Sequence, residues 1–273
     1  MIVRKSAGEI ETMASAGRVV AETLALVGET LRPGISTAEL DELAEELIRS
    51  RGGVPTFKGY RGFPASICAS PNAMVVHGIP GGYRVEEGDL LSVDVGVTLD
   101  GFVADSAFTF GVGDVDPKAE RLLAACRAAL AAGIAEARSG NRVGDISAAV
   151  QRTTEEAGFS VIRSLVGHGV GRSMHEEPQV PNHGEPGRGP KLQPGMTIAI
   201  EPMITAGGED IFVGDDDWSI STSDGSLAAH FEHTVAVTQD GPRILTEAPV
   251  TSLVPESRRG LAGSRRGRLA LSS

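Results

Sequence analysis

The stretch Leu90–Phe110 constrains the fold of this chain more than any other. Two runs rich in β-branched and aromatic residues meet at Asp100-Gly101, the strongest short-range signal for a tight hairpin. A turn at that pair sets Leu99 opposite Phe102, Gly96 opposite Asp105 and Asp94 opposite Ala107. Because side chains alternate faces, Asp94 and Asp105 then share one face as diagonal neighbours, with Cβ atoms about 7 Å apart. A slip of one residue would separate them. Two carboxylates on an apolar-flanked face are costly, since desolvation and like charge both disfavour ionisation. Taken alone, the pair leaves three readings open: a cation between them, a shared proton, or an exposed face on which both are solvated.

The elements around the hairpin come in a repeated order. Ser6 and Glu9 form a capping box for a helix that carries Ile10, Met13, Val20, Leu24 and Val27 and stops at Pro33-Gly34. Ser36 and Glu39 repeat the device for a second helix, ended by Gly52-Gly53. Strand signals follow at 65–69 and 74–79 and culminate in the hairpin. Asp116-Pro117 then opens a helix through Ala137, closed by Gly140. A further helix is expected over Asp145–Glu156, closed by Gly158. Strands are expected at 160–166, 196–205, 219–223 and 229–238. Helix, helix, strands thus occurs twice, in halves of about 1–115 and 116–250, without visible identity between them. The order suggests a duplicated unit whose strands merge into one sheet backed by helices, an α+β architecture in one domain over residues 1–250. Antiparallel hairpins argue against a doubly wound sheet. The junction of the halves is the natural place for a cleft.

A chain of 273 residues with 41% hydrophobic and 22% charged residues can bury a sizeable core. Its net charge of −11 argues against nucleic acid as the main partner of the body and would draw cations. The two cysteines, Cys68 and Cys126, imply no disulfide framework and suit a reducing, cytoplasmic setting, with Cys126 in the core of an Ala-rich helix. The opening Met-Ile-Val-Arg-Lys lacks the apolar block of a signal peptide, and no apolar run approaches membrane-spanning length. Nothing in the pattern signals oligomerisation, so a monomer without membrane contact is expected. Residues 257–273 hold Arg258, Arg259, Arg265, Arg266 and Arg268 and no acid, and are expected to form a disordered tail. That tail could touch RNA or another polyanion, have no partner, or lie against the acidic body.

Four further stretches place ionisable residues where a strand or turn should be apolar. His77 ends the run Met74–Val76 and is backed by a glycine. His168 and His175 belong to a stretch with three glycines in five residues, which precludes a stable helix and predicts a loop. Glu201 interrupts Met196–Ile204, where it shares a strand face with Thr197 and Ala199, and Pro202 keeps it extended. Glu232 interrupts Ala229–Val237. Each alone fits an edge strand facing water or a satisfied core histidine. Asp215-Asp216-Asp217 offers either another cation site or a solvated turn before Trp218, and the turn is the reading preferred.

Asp94, Asp105, His168, Glu201 and Glu232 together supply four carboxylates and an imidazole, nearly the charge of two divalent ions sharing a hydroxide. Oxygen-rich ligation with one nitrogen suits Mn, Fe(II), Co or Zn. Ions about 3.5–4 Å apart would activate a water for hydrolysis.

At these motifs the sequence resembles the type I methionine aminopeptidases of the pita-bread metallopeptidase superfamily. The resemblance spans roughly residues 2–248. It rests on His-Gly-Ile-Pro at 77–80, the spacing of eleven between Asp94 and Asp105, Gly-His-Gly at 167–169, Glu-Pro-Met at 201–203 and Glu-His-Thr at 232–234. It implies a pita-bread fold of two pseudo-twofold-related halves, a curved antiparallel sheet covered by helices. It further implies that Asp94 chelates one ion, that His168 and Glu201 bind the other, and that Asp105 and Glu232 bridge. Glu201 would shuttle the proton from the bridging hydroxide's water to the departing amine. His175 would contact the scissile carbonyl and His77 the amide of the departing chain. Tyr60, Phe63, Cys68 and Trp218 would line the methionine pocket. Met174 stands where the family often has Phe, while Phe57 and Phe63 replace residues that are frequently Cys or Tyr. The spans between His168, Glu201 and Glu232 leave no room for the insertion typical of type II enzymes.

The expected activity is removal of the initiator methionine from nascent proteins whose second residue is small, with a possible ribosome contact through the Arg-rich tail. One alternative is an Xaa-Pro peptidase, which would share all five ligands but usually carries an extra N-terminal domain. Another is a non-catalytic, ribosome-associated binding protein, though such relatives have lost ligands that this chain retains.

Overall fold

The computed structural model describes residues 2–247. The chain begins with α1 (Ala7–Thr30) and α2 (Thr37–Ser50). At each start the serine hydroxyl accepts the glutamate N–H while the glutamate carboxylate accepts the serine N–H, at Ser6/Glu9 and Ser36/Glu39. Then come β1 (Val54–Pro55), β2 (Ile67–Pro71), β3 (Met74–Val76), β4 (Leu90–Leu99) and β5 (Phe102–Gly111), followed by α3 (Pro117–Glu136) and α4 (Val143–Glu156). The second half continues with β6 (Ser160–Val161), β7 (Val166–Gly169), β8 (Glu176–Pro181), β9 (Thr197–Ile200) and β10 (Met203–Thr205). It ends with β11 (Ile211–Val213), β12 (Ile220–Thr222), β13 (Ala228–His230), β14 (His233–Val237) and β15 (Pro242–Ile244). The expected double run of helix, helix, strands is present. Among the described residues no helix is long and apolar enough to cross a membrane. The basic tail at 257–273 lies outside the described residues.

The hairpin has the register that its turn predicts: Leu99 faces Phe102, Gly96 faces Asp105 and Asp94 faces Ala107. Asp100 and Gly101 both take positive φ, 48° and 77°, as the turn requires. Leu91, Val93, Val95 and Val97 of β4 point into a core formed with Ala16, Val20, Leu24 and Val27 of α1 and Leu40, Ala44 and Ile48 of α2. The alternate residues, Asp94 among them, therefore face away from the helices. In the second half α3 and α4 cover Ile198, Ile200, Val235 and Val237 in the same manner, and Cys126 is fully buried there.

The strands do not merge into one continuous sheet. Among the described residues pairing divides into four antiparallel groups: β1, β2 and β5 all on β4, β15-β14-β9-β7-β8, β13-β10-β6, and β11-β12-β3. The expected strands at 196–205 and 229–238 are each broken, at Glu201-Pro202 and at Phe231-Glu232. On one side of the breaks β9 pairs with β14, and on the other β10 pairs with β13. Pro202 has no N–H to give to a ladder, so the pairing lapses beside it.

Other boundaries differ for local reasons. The expected strand at 160–166 is two strands, β6 and β7, on different ladders. His168 lies in β7 rather than in a loop. β8 carries two prolines and reads as a loop, yet as the outer strand of its sheet it tolerates them. Helix α4 starts two residues before Asp145, whose carboxylate accepts the Arg142 N–H at 2.7 Å from the third helical position.

The two halves meet along the free edge of β5. Ala107 O accepts the Glu232 N–H at 2.9 Å, and Ser106 Oγ donates to Glu232 O. Thr109 Oγ1 donates to His230 O and accepts the His230 N–H, both at 2.8 Å. Hydroxyl side chains thus join the halves where a regular ladder would otherwise run.

Candidate metal centre

All five residues expected as ligands line one cleft of about 220 Å³ at this junction. Asp94 and Asp105 come from the hairpin face turned away from α1 and α2. His168 comes from β7, and Glu201 and Glu232 from the two strand breaks. The breaks turn both glutamates out of the pleat alternation and into the cleft. Asp105, His168 and Glu232 each offer one ligand atom within 4.8 Å of the others. His168 Nε2 lies 3.4 Å from Asp105 Oδ2 and 3.5 Å from Glu201 Oε1.

The local sequence around His168 follows from crowding. A Cβ on Gly167 would sit 2.4 Å from the Ala199 carbonyl oxygen of β9. Glycine is therefore what lets β7 lie against β9 and hold His168 over the carboxylates. His168 Nδ1 is 2.8 Å from Gly169 O, which can only accept, so Nδ1 carries a proton and Nε2 is the nitrogen turned to the acids.

Burial and crowding set the charges. Burial, then the charges of Asp105 and Glu201, push Asp94 well above the usual carboxylate range. Burial pushes Glu201 to about 8, and burial with its three acidic neighbours pushes Glu232 up strongly. Burial would raise Asp105 too, but the hydrogen bond and charge of His168 hold it below its ordinary value. For His168, burial is outweighed by Asp105 and Glu201, which raise it to about 9. Among the described residues Asp94 Oδ1, Glu201 Oε1 and Glu232 Oε1 are buried without a hydrogen-bond partner. Buried oxygens of this kind call for a counter-charge, and the donor set of four carboxylates and one imidazole suits divalent cations of intermediate hardness.

The walls of the cleft are largely apolar, with the Arg61 guanidinium also among the lining groups. Phe57, Phe63, Cys68, Met174, Met203 and Trp218 line it together with Tyr60, His77 and His175. Cys68 lies opposite Asp94 across β2 and β4, which places the thiol beside the carboxylates. Trp218 meets the Phe63 ring edge-on at 5.1 Å and the His77 ring at 6.5 Å. The Asp215–Asp217 turn is exposed as expected, and Asp216 Oδ1 accepts the N–H groups of Trp218 and Ser219 at 2.9 and 2.8 Å, fixing the approach of the indole. His175 lies just before β8, with Nδ1 2.7 Å from Tyr60 Oη and its ring 4.3 Å from that of His168. Although His175 is the more exposed of the two rings, desolvation of its ring inside the cleft, and then the charge on His168, hold it below the usual histidine range.

Two residues of the centre are not singled out by the sequence. His230 is buried, with Nε2 making no hydrogen bond among the described residues and lying 3.8 and 3.9 Å from Glu201 Oε2 and Glu232 Oε2, and burial pushes it down to about 3. Its position two residues before Glu232 in an apolar run was the available signal. Thr234, whose hydroxyl contacts Asp105, closes the Glu-His-Thr motif, but threonine is ordinary in strands and its own role was not read from it.

Residues 11–239 match the profile of metallopeptidase family M24. Over 246 residues the chain is 50% identical to the methionine aminopeptidase of Clostridium perfringens, covering 90% of this chain and 99% of that protein. The crystal structure of methionine aminopeptidase from Thermotoga maritima is similar with a TM-score of 0.89 and 44% identity, over 90% of this chain and all of that one (100%). A prolidase from Pyrococcus furiosus shares the fold, with a TM-score of 0.74 at 21% identity over 90% of this chain and 66% of that one. The α+β pita-bread expectation is met by these structural likenesses. On the match across 11–239 and the identity to these relatives, the chain belongs to metallopeptidase family M24.

Proposed function

We propose that this M24 metallopeptidase removes the N-terminal methionine from nascent proteins and peptides whose second residue is small. The observation that carries the reading is the convergence of Asp94, Asp105, His168, Glu201 and Glu232 on the floor of a cleft whose walls are aromatic and sulfur-bearing. A thioether side chain suits such walls, since Phe63, Trp218, Cys68 and Met174 are uncharged and offer polarizable surface. Identity of 50% to a methionine aminopeptidase, against 21% to a prolidase, favours methionine over the Xaa-Pro alternative.

The five residues fit divalent metal, since Asp94 Oδ1, Glu201 Oε1 and Glu232 Oε1 are buried with no hydrogen-bond partner among the described residues. In this reading Asp94, Asp105, His168, Glu201 and Glu232 would together hold two divalent ions, Asp94 serving one, His168 and Glu201 the other, and Asp105 and Glu232 shared, with Mn, Fe(II), Co or Zn as the metal. Metal held there would supply Lewis acidity, polarising the scissile carbonyl and lowering the pKa of the attacking water. Glu201 would take a proton from the attacking water and return it to the departing amine, acting first as base and then as acid. His175 donates to the carbonyl oxygen as it gains charge, and Tyr60 orients the ring through the 2.7 Å contact at Nδ1. His77, at a positive φ of 61° on the cleft wall, contacts the amide of the departing chain. Residues 1–250 act as one catalytic domain in the cytoplasm.

The test is release of methionine from Met-Gly-Met-Met, Met-Leu-Met-Met and an Xaa-Pro peptide by metal-stripped protein reloaded with each of the four metals. Metal-dependent cleavage of the first peptide alone, lost in Asp105→Asn, is expected. Cleavage of the Xaa-Pro peptide instead would overturn the reading.

A further inference from the structure

The loop between β7 and β8, which carries His175, is held by an ion pair from the far end of the sequence. Lys5 lies just before α1, and its Nζ donates to Glu176 Oε2 at 2.6 Å, with the two side chains only 3% and 14% exposed. The other oxygen, Glu176 Oε1, accepts the N–H groups of Arg172 and Ser173 at 2.8 and 3.2 Å. One carboxylate thus ties the start of the loop to the residue that follows His175. The lysine stem occupies the place of a side chain at Gly171, where a Cβ would come within 2.3 Å of Lys5 Cε. The Lys5 N–H donates to Gly195 O at 2.7 Å, so the segment is anchored to the second half before it reaches the loop. Two further ties act from the first half: Arg172 pairs with Glu9 at 3.1 Å, and the Val103 N–H donates to Gly171 O at 2.7 Å.

A surface ion pair would add little, whereas a buried pair gains its value from the geometry it imposes and is damaging to break by halves. The group whose placement this pair governs is His175, one residue before Glu176 and facing the carboxylate floor. We infer that Lys5 is a positioning residue for the reaction, holding His175 at the reacting carbonyl through Glu176. The inference rests on the methionine aminopeptidase reading for its kinetic part and stands without it for its structural part.

The experiment compares metal-loaded wild type, Lys5→Met, Lys5→Arg, His175→Ala and the double variant Lys5→Met/His175→Ala on Met-Gly-Met-Met. Lys5→Met is expected to lower kcat by about tenfold or more, because a shift of about 1 Å in a catalytic group can cost about 10²-fold. KM and metal content stay unchanged, and Lys5→Arg restores most of the rate. The double variant is no slower than His175→Ala, and a tetrahedral phosphonate analogue of methionine binds more weakly to Lys5→Met while free methionine does not. Additive losses, or full activity in folded Lys5→Met, would overturn the inference. Glu176→Gln keeps an oxygen for the two loop amides, removes the charge and carries the same expectation should Lys5→Met fail to fold. Hydrogen exchange at the Arg172 and Ser173 amides reads the tie without any turnover: acceleration of about tenfold or more in either variant is expected, and unchanged exchange refutes the tie. A wild type that releases no methionine with any metal would overturn the function and leave the exchange result to decide this inference.

Discussion

The hydroxyl of Thr234 lies 2.9 Å from Oδ1 of Asp105 and 2.8 Å from the Asp105 carbonyl oxygen, and it accepts the Asp105 N–H at 3.0 Å. Threonine and aspartate come from opposite halves of the chain, so the carboxylate is aimed from across the junction, leaving Oδ2 toward His168. Thr234→Val keeps the shape and strands a buried N–H and a buried carboxylate oxygen. Groups that orient a ligand in this way typically contribute about 10–100-fold in metal affinity, and a loss of that size is expected, with Thr234→Ser close to wild type. Equilibrium dialysis with Mn checks it. Unchanged affinity in Thr234→Val would deny the hydroxyl any part in aiming Asp105.

Glu201→Gln separates proton transfer from ligation. The amide keeps an oxygen for a cation but cannot carry the proton, so kcat is expected to fall by about 10²–10⁴-fold while metal remains bound. Methionine release is measured beside elemental analysis of the same samples. If excess metal restored the full rate, Glu201 would be a ligand only.

The contrast between these residues shows what a sequence of this kind can disclose. Asp94 and Asp105 are legible because Asp100-Gly101 sets the register and alternation does the rest; every pair expected in that hairpin is present. Glu201 and Glu232 are legible as anomalies in apolar runs, but their placement is not. Both were expected within strands, whereas both sit at breaks where β9 and β10, and β13 and β14, change partners. Pro202 marks the first break chemically; nothing marks the second, because it follows from pairing with the first. His168 was expected in a loop on the strength of its glycines, yet Gly167 serves close strand contact instead. β8 could not be read because its prolines are tolerated only at an edge, and edges are a property of the finished sheet. His230 and Thr234 owe their roles to the same remote pairing.

Removing metal should make the protein's stability depend on pH in a definite direction. Burial raises Glu201 from 4.5 to about 8, and Asp105 and Glu201 raise His168 from 6.5 to about 9 against the effect of burial. Both groups hold a proton in the fold that the unfolded chain has released. Their contribution is complete below the unfolded values and is lost as pH rises through the folded ones. The Tm of chelator-treated protein is therefore expected to fall between about pH 6.5 and 9, with the gap to metal-loaded protein wider at pH 8 than at pH 6. Metal binding at pH 7 should also release protons, seen as a buffer-dependent heat in calorimetry. A Tm that rose with pH across this window would contradict the assigned charges.

Trp218 tests the apolar wall independently of the metal floor. Its ring meets Phe63 edge-on at 5.1 Å, and Asp216 holds the turn beneath it through hydrogen bonds to its own N–H and that of Ser219. If the methionine side chain packs there, the contact is made equally in the bound substrate and in the transition state. Its loss should then raise KM and spare kcat. Full burial of a large apolar side chain is worth about 1.5–3 kcal/mol, so Trp218→Ala is expected to raise KM for Met-Gly-Met-Met by about 10–100-fold. Asp216→Ala, which frees the turn but keeps the indole, should raise it by less. Steady-state kinetics at saturating metal decides: a fall in kcat at constant KM would place the indole at the reacting bond instead of at the methionine side chain.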